Sequence, residues 1–194
     1  MFWRWLFTLY VTVWVLQGTE TFTVVTYNVE NYFLEDFGTR KAKSEASRMK
    51  VVEYLEAIDA DVIALQEMGR RAALTELRGR LKAKGLDYPH EAWVVGPDPT
   101  IHLAMLSRFP IAKNRSQNQV SYLLDRKRFQ VSRGIGEVEV QVNSRYRFVL
   151  FNAHLKSKRP VGFADQAAMR LEEARALRRL VVKRLNANPD ENLL

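Results

Sequence analysis

Apolar and polar positions along the chain fall into two periods. Thr21 to Asn28 is rich in β-branched and aromatic residues and predicts a strand. From Lys41 to Ile58, Ala42, Ala46, Met49, Val52 and Leu55 recur at three- and four-residue spacing, which predicts an amphipathic helix. Asp61 to Glu67 is a short apolar run ending in two polar residues, the pattern of a buried strand. Arg71 to Lys84 returns to the helical period through Leu74, Leu77 and Leu81, and Gly85 closes it. Beyond this point strands dominate, at Trp93–Val95, Ile101–Leu106, Ile135–Val142 and Arg147–Asn152. Residues 137–142 alternate strictly between polar and apolar, so one face of that strand is exposed or meets a polar layer. Ala164 to Asn186 predicts a long helix on Ala167, Leu171, Ala174, Leu177, Val181 and Leu185. No short-period repeat is visible. The mixture of helices and strands gives an α/β or α+β fold.

Composition narrows the class. With 194 residues, 47% of them hydrophobic and 27% charged, the chain suits one domain with a substantial core. Cysteine is absent, which excludes a disulfide scaffold, an iron–sulfur site, a thiolate zinc site and a cysteine nucleophile. Thirty Lys and Arg against 22 Asp and Glu leave a formal charge of +8. Such a charge suits phosphate-bearing partners and equally suits plain solubility.

The first twenty residues read differently from the rest. Arg4 precedes an apolar run from Trp5 to Leu16, and Gln17 to Glu20 end it. The run is shorter than the roughly 20 residues of a membrane span. A basic start followed by a short apolar run is the pattern of a secretory signal or an uncleaved anchor. An amphipathic anchor or an extra strand is the alternative. Residues 1–20 are therefore set apart as a targeting candidate, with export to the periplasm, the exterior or a membrane surface as the expectation. Residues 21–194 form the domain.

Three buried strands end in polar groups: Asn28 with Asn31, Gln66 with Glu67, and Asn152 with His154. Side chains from separate segments commonly converge at strand ends in α/β sheets. A carboxylate, amides and a histidine suit an oxygen-ligated Mg²⁺ and a phosphate, with Glu67 as the hard anionic ligand. Each feature also has a plain reading: a turn asparagine, a hydrogen-bonded structural histidine, a glutamate just past its strand.

Four segments, T-Y-N-V-E-N (26–31), D-V-I-A-L-Q-E-M (61–68), L-S-R-F-P-I (106–111) and F-N-A-H-L-K-S-K (151–158), resemble successive motifs of the endonuclease/exonuclease/phosphatase superfamily, the deoxyribonuclease I-like proteins. The H-L-K-S-K form most resembles the bacterial extracellular nuclease-like branch. The resemblance runs from Thr23 to the C-terminus. It implies a two-sheet sandwich flanked by helices, with the site at one end of the sheets. It implies Asn28 as an active-site amide that also binds the metal, Glu67 as the metal-binding carboxylate, and His154 on the scissile phosphate. Asn152 would orient that histidine or the phosphate. Lys156 and Arg133 would be phosphate contacts or else solvent-facing cations, and Gln66 would support Glu67. His90 and His102 match no role. The implied cofactor is Mg²⁺, or Mn²⁺ or Ca²⁺.

The family's later G-D-x-N and S-D-H motifs are not in the sequence. Residues 186–191 are turn-rich, and Asn192, Leu193 and Leu194 read as the opening of a further buried strand. The expectation is a C-terminally truncated domain, with Leu193 and Leu194 turned toward a core lacking its next strand. The sequence thus points to a metal-dependent phosphoesterase, foremost a nuclease hydrolysing phosphodiesters by in-line water attack. The alternatives are a phosphatase or sphingomyelinase-like phosphodiesterase, or a catalytically incomplete fragment acting as a basic binding module. Partners would be nucleic acid or another phosphodiester, with membrane association through the N-terminal segment and no obligate protein partner. The loops at 29–40 and 114–128 are the candidates for gripping substrate; the second sets Arg115, Arg126, Lys127 and Arg128 beside Tyr122 and Phe129.

Overall fold

The computed structural model describes residues 21–158, 162 and 164–194. The targeting candidate at 1–20 lies outside the described residues. Among the described residues, no helix is long and apolar enough to cross a membrane.

Among the described residues, nine strands and three helices follow one another. They are β1 (Val24–Tyr32), α1 (Glu45–Ile58), β2 (Val62–Met68), α2 (Arg71–Ala83), β3 (His90–Val94), β4 (His102–Ser107), β5 (Ile111–Asn114), β6 (Ser121–Leu124), β7 (Lys127–Gln130), β8 (Ile135–Gln141), β9 (Arg147–Ala153) and α3 (Gln166–Ala187). The first sheet has the order β1-β2-β4-β3 and the second β5-β8-β9, with β6-β7 as a separate hairpin. Only the β1–β2 pair is parallel within the named strands.

Strand alternation explains the layering. On β2, Ile63 and Leu65 join α1 and α2 in one core, through Val52, Leu55, Leu74, Leu77 and Leu81. Val62 and Ala64 face the opposite way and meet Val138, Val140, Phe148 and Leu150 of the second sheet. A third cluster sets Ile135 and Phe151 against Tyr122 of the hairpin and Met169 and Ala176 of α3. The result is four layers: helices, sheet, sheet, helix. This is the expected two-sheet sandwich flanked by helices.

Several elements shift from their sequence-predicted places. β1 continues to Tyr32, because Tyr32 still pairs with Met68 after an irregular stretch in the ladder. Helix α1 begins at Glu45, where the Ser44 side chain accepts from the Ser47 N–H. The buried face of α3 is Gln166, Met169, Glu173 and Ala176, whereas Leu171 and Leu185 are exposed. The segment 114–128 contains part of a hairpin whose Asp125-Arg126 turn has φ of 48° and 63°. Two positive φ values are what a two-residue turn needs to match the strand twist.

The alternating strand β8 does meet a polar layer. Glu137 and Glu139 are each 4% exposed. Arg184 of α3 lies 3.6 Å from Glu137 and 4.0 Å from Glu139, and Arg115, Lys113 and Arg147 surround Glu139 at 3.3–3.5 Å. At the chain's end, Leu193 bridges Val149 in parallel, and Phe151 N–H donates to Leu194 O at 2.9 Å. Residues 192–194 thus extend the second sheet alongside β9. Leu193 is half-buried, and Leu194 is exposed.

Candidate active site

The site forms where the polar ends of β1, β2 and β9 come together. Glu67 is its pivot. Leu65 pairs with Ala104 and Met68 with His102, so β2 fits one residue more than β4 over that interval. Glu67 lies within this bulge at φ 61°. Bulges re-aim side chains, and left-handed backbone at a glutamate is strained. The extra residue returns Met68 to the helix-facing core. It also carries the Glu67 carboxylate to Asn28 and His154.

Three groups hold that carboxylate. Asn28 Nδ2 donates to Oε1 at 3.0 Å, and the Asn31 backbone N–H donates to Oε2 at 3.0 Å. His154 Nε2 lies 3.3 Å from Oε1. Asn31 has φ 55°, a conformation asparagine adopts more readily than most residues. Asn28 is itself fixed, since its Oδ1 accepts from the Glu30 N–H at 2.9 Å.

Asn152 lies beneath this surface at 2% exposure. Its Nδ2 donates to Leu65 O at 3.0 Å and Ala104 O at 3.1 Å, and its Oδ1 accepts from Gln66 Nε2 at 2.7 Å. Both amide hydrogens are thereby taken, so Asn152 has none to give a phosphate. Gln66 does not support Glu67. It lies on the face of β2 toward the second sheet, and its other partners are Thr26 Oγ1 at 3.1 Å and Ala64 O at 3.2 Å.

His154 follows β9 directly. Burial, then the nearby Arg133 cation, hold its imidazole below the ordinary histidine value, while Glu67 pulls the other way. Arg133 is 5% exposed and so is not a solvent-facing cation. Its Nε lies 3.4 Å from Asp98 Oδ2, outside good hydrogen-bond geometry, and Nε and Nη1 are buried without a hydrogen-bond partner. Lys156 is half-buried. Its backbone N–H donates to Glu173 Oε2, and its carbonyl accepts from Arg170 Nη1 at 3.0 Å.

Asp98 and Glu173 escaped the sequence reading. Asp98 accepts from the Thr100 and Ile101 N–H groups at 2.9 and 3.1 Å, which fixes the loop facing Arg133. Glu173, fully buried, accepts from Ser132 N–H at 3.0 Å and from the Lys156 N–H. It thereby ties the loops of Arg133 and His154 to α3. A signal existed for each: Asp98 sits between two prolines, and Glu173 falls four residues after Met169 on the buried helix face. His102, assigned no role, is 5% exposed and packs on Trp93 at 5.0 Å between ring centroids.

The donor set bears on a metal. Among the described residues no group of three or more His, Cys, Asp or Glu is placed to hold one. Glu67 offers one carboxylate, and Asn28 turns its amide nitrogen toward it. One carboxylate completed by water and substrate oxygens fits Mg²⁺, which holds most of its waters and commonly takes one or two carboxylates.

Comparison with solved structures shows the same fold. Truncated Caenorhabditis elegans TDP2 matches at TM-score 0.61 and 17% identity, over 89% of this chain and 59% of that one. Sphingomyelinase C from Streptomyces griseocarneus matches at 0.58 and 19%, over 86% and 60%. An endonuclease/exonuclease/phosphatase protein from Beutenbergia cavernae matches at 0.57 and 18%, over 84% and 43%. The chain therefore spans about three fifths or less of the length of these structures. No curated protein sequence matches at a significant level. The sequence model of one family covers residues 25–191, which run from the second residue of β1 through α3 and contain all the site residues above. The chain belongs to the Endonuclease/Exonuclease/phosphatase family.

Proposed function

We propose that the protein is a divalent-metal-dependent phosphodiesterase acting on nucleic acid. The observation that carries this reading is the convergence of Asn28, the Asn31 N–H and His154 on the single carboxylate of Glu67. A carboxylate would not need three partners at a strained bulge for the sake of the fold alone.

Glu67 would hold the metal, Mg²⁺ or an ion of similar oxygen preference, and Asn28 would orient the carboxylate through its amide nitrogen. When bound, the metal supplies positive charge that polarises a phosphoryl oxygen. His154 stands beside Glu67 and would donate a hydrogen bond to a non-bridging oxygen of the scissile phosphate, stabilising charge as it grows there. Water attacks phosphorus in line, forming one P–O bond and giving up a proton to solvent, while the bond to the ester oxygen breaks and that oxygen takes up a proton. Asn152 positions His154 from below, two residues away on β9, and makes no contact with the phosphate. Arg133 would add positive potential from beneath, with Lys156 at the rim.

The similarity to a sphingomyelinase supports a second substrate, a phospholipid headgroup ester. The apolar run from Trp5 to Leu16, read as a signal or anchor, fits that substrate and also fits export of a nuclease. The test is hydrolysis of DNA, RNA, sphingomyelin and bis(p-nitrophenyl) phosphate in parallel, with Mg²⁺ and with EDTA. Metal-dependent cleavage of a nucleic acid is expected. Cleavage of sphingomyelin alone would select the second reading, and metal-independent activity would reject both.

A further inference from the structure

The two segments that hold Glu67 also build a pocket beside it. One runs from Asn31, whose N–H binds the carboxylate, into residues 33–37. The other runs from Glu67 through Gly69 and Arg70 into α2. They touch at Gly69, where an added Cβ would lie 2.6 Å from Tyr32 O and 2.9 Å from Phe33 Cδ1. Beside this contact lies a pocket of about 260 Å³, lined by Phe33, Leu34, Phe37, Ala72, Ala73 and Thr100, with Glu35 and Arg70 completing it.

Its chemistry is specific. Two phenylalanines and two alanines leave an apolar, short-walled space. The Arg70 guanidinium lies over the Phe37 ring at 5.4 Å and pairs with Glu35 at 2.7 Å, so the Phe37 wall is held in place before any ligand arrives. An apolar cavity of about 150 Å³ accepts benzene. This pocket thus has room for one ring and its substituents, and little room for two acyl chains. Thr100 supplies a polar edge. Phe37 and Thr100 also line an adjoining groove that carries Arg40, Arg128 and Lys156. A ring in the pocket would therefore continue into a cationic surface suited to an anionic chain.

We propose that this pocket takes a planar aromatic group attached to the substrate phosphate, a nucleobase or an aryl ester, and selects substrates by it. The assignment rests on the phosphoester reading of Glu67 and His154. Its wall begins at Phe33, two residues beyond the Asn31 whose N–H holds the carboxylate, and Gly69, two residues beyond Glu67, packs on that Phe33, so a ring there would sit on the substituent next to the scissile phosphate.

The test is calorimetric titration of the full chain, in Mg²⁺ buffer, with methyl phosphate, phenyl phosphate and thymidine 5′-phosphate. Phenyl phosphate is expected to bind about tenfold more tightly than methyl phosphate, the gain from burying roughly one ring face. An equal gain for thymidine 5′-phosphate points to a nucleobase, and a gain for phenyl phosphate alone to an aryl ester. Ala72→Leu, on the exposed side of α2, fills the pocket, and Phe37→Ala removes a wall. Both should abolish the gain and leave methyl phosphate binding unchanged. Equal affinity for all three ligands in the wild type, or a preference surviving both substitutions, overturns the pocket assignment alone. If none of the three binds, the phosphoester reading fails, and the pocket assignment falls with it.

Discussion

Gln66 Nε2 donates to Asn152 Oδ1 across 2.7 Å, and this bond joins the two sheets by side chains that are both buried. Gln66 belongs to β2 and Asn152 to β9, two residues before His154. Both hydrogens of the Asn152 amide go to the β2 and β4 backbone. The sandwich is therefore fixed in register at the same point from which the site is built.

Replacing Asn152 by Leu removes three buried hydrogen bonds, one from Gln66 Nε2 and two to the Leu65 and Ala104 carbonyls. The expected cost is on the order of 2–4 kcal/mol. Urea unfolding reads the cost. The His154 ring resonances should shift as well, because β9 loses its anchor; a stable variant with an unmoved histidine would contradict this role.

Arg184 neutralises two nearly buried carboxylates. It lies 3.6 Å from Glu137 and 4.0 Å from Glu139, and it also pairs with Glu191 at 2.5 Å. Burial holds Glu137 above the usual carboxylate range, which Arg184 opposes. Arg184→Met leaves Glu137 without its nearest cation and is expected to cost about 3 kcal/mol. Adding Glu137→Gln should restore most of it. A double-mutant cycle on urea midpoints measures the recovery.

His102 sets a pH dependence of stability. It is buried against Trp93 with Nδ1 unpartnered, and burial holds it below its ordinary value of 6.5, with Asp98 opposing. The folded state thus binds the proton less readily than the unfolded one. Stability is full above the unfolded value and is lost as pH falls through it toward the lower folded value. His102→Phe keeps the ring contact and removes the proton. Unfolding midpoints measured at about pH 7.5 and about pH 5 should differ less in the variant than in the wild type. His154 is shifted in the same direction, so a smaller slope should remain.

Gly96 permits a close approach of two loops. A Cβ there would overlap the backbone of Ser132, Arg133 and Gly134. That approach brings Asp98 to Arg133. Gly96→Ala is expected to destabilise by about 2 kcal/mol, since backbone cannot yield as a flexible side chain can. An unchanged thermal midpoint would show that the loops separate at no cost.

Much of this arrangement was legible in the sequence. Leu74, Leu77 and Leu81 marked the buried face of α2, and the apolar run before Glu67 marked a buried strand, because both patterns are set by local periodicity. The polar ends at Asn28, Glu67 and His154 were visible for the same reason. The bulge at Glu67 was not, since it depends on the register against β4, a long-range pairing. Nor was the face of α3. Its Leu171 and Leu185 imitate a core stripe, while Glu173 takes a buried position because two distant backbone N–H groups meet it there. Arg133 read as either a phosphate contact or a surface cation, and its burial beside Asp98 was hidden because only tertiary packing brings the two together. The hairpin at 121–130 was hidden by a turn of Asp and Arg rather than Gly or Asn.

The direct test of the site is the Mg²⁺ dependence of phosphodiester hydrolysis, measured for the wild type and for Glu67→Gln. The substitution keeps the side chain's shape and, through its one oxygen, the contact with the Asn31 N–H, while removing the charge and the bond from Asn28 Nδ2. The expected result is an unchanged fold, judged by the unfolding midpoint, with half-maximal activity moved to at least about tenfold higher Mg²⁺. Superimposable Mg²⁺ titrations would contradict the assignment of Glu67 as the metal ligand and make it a strand-end residue.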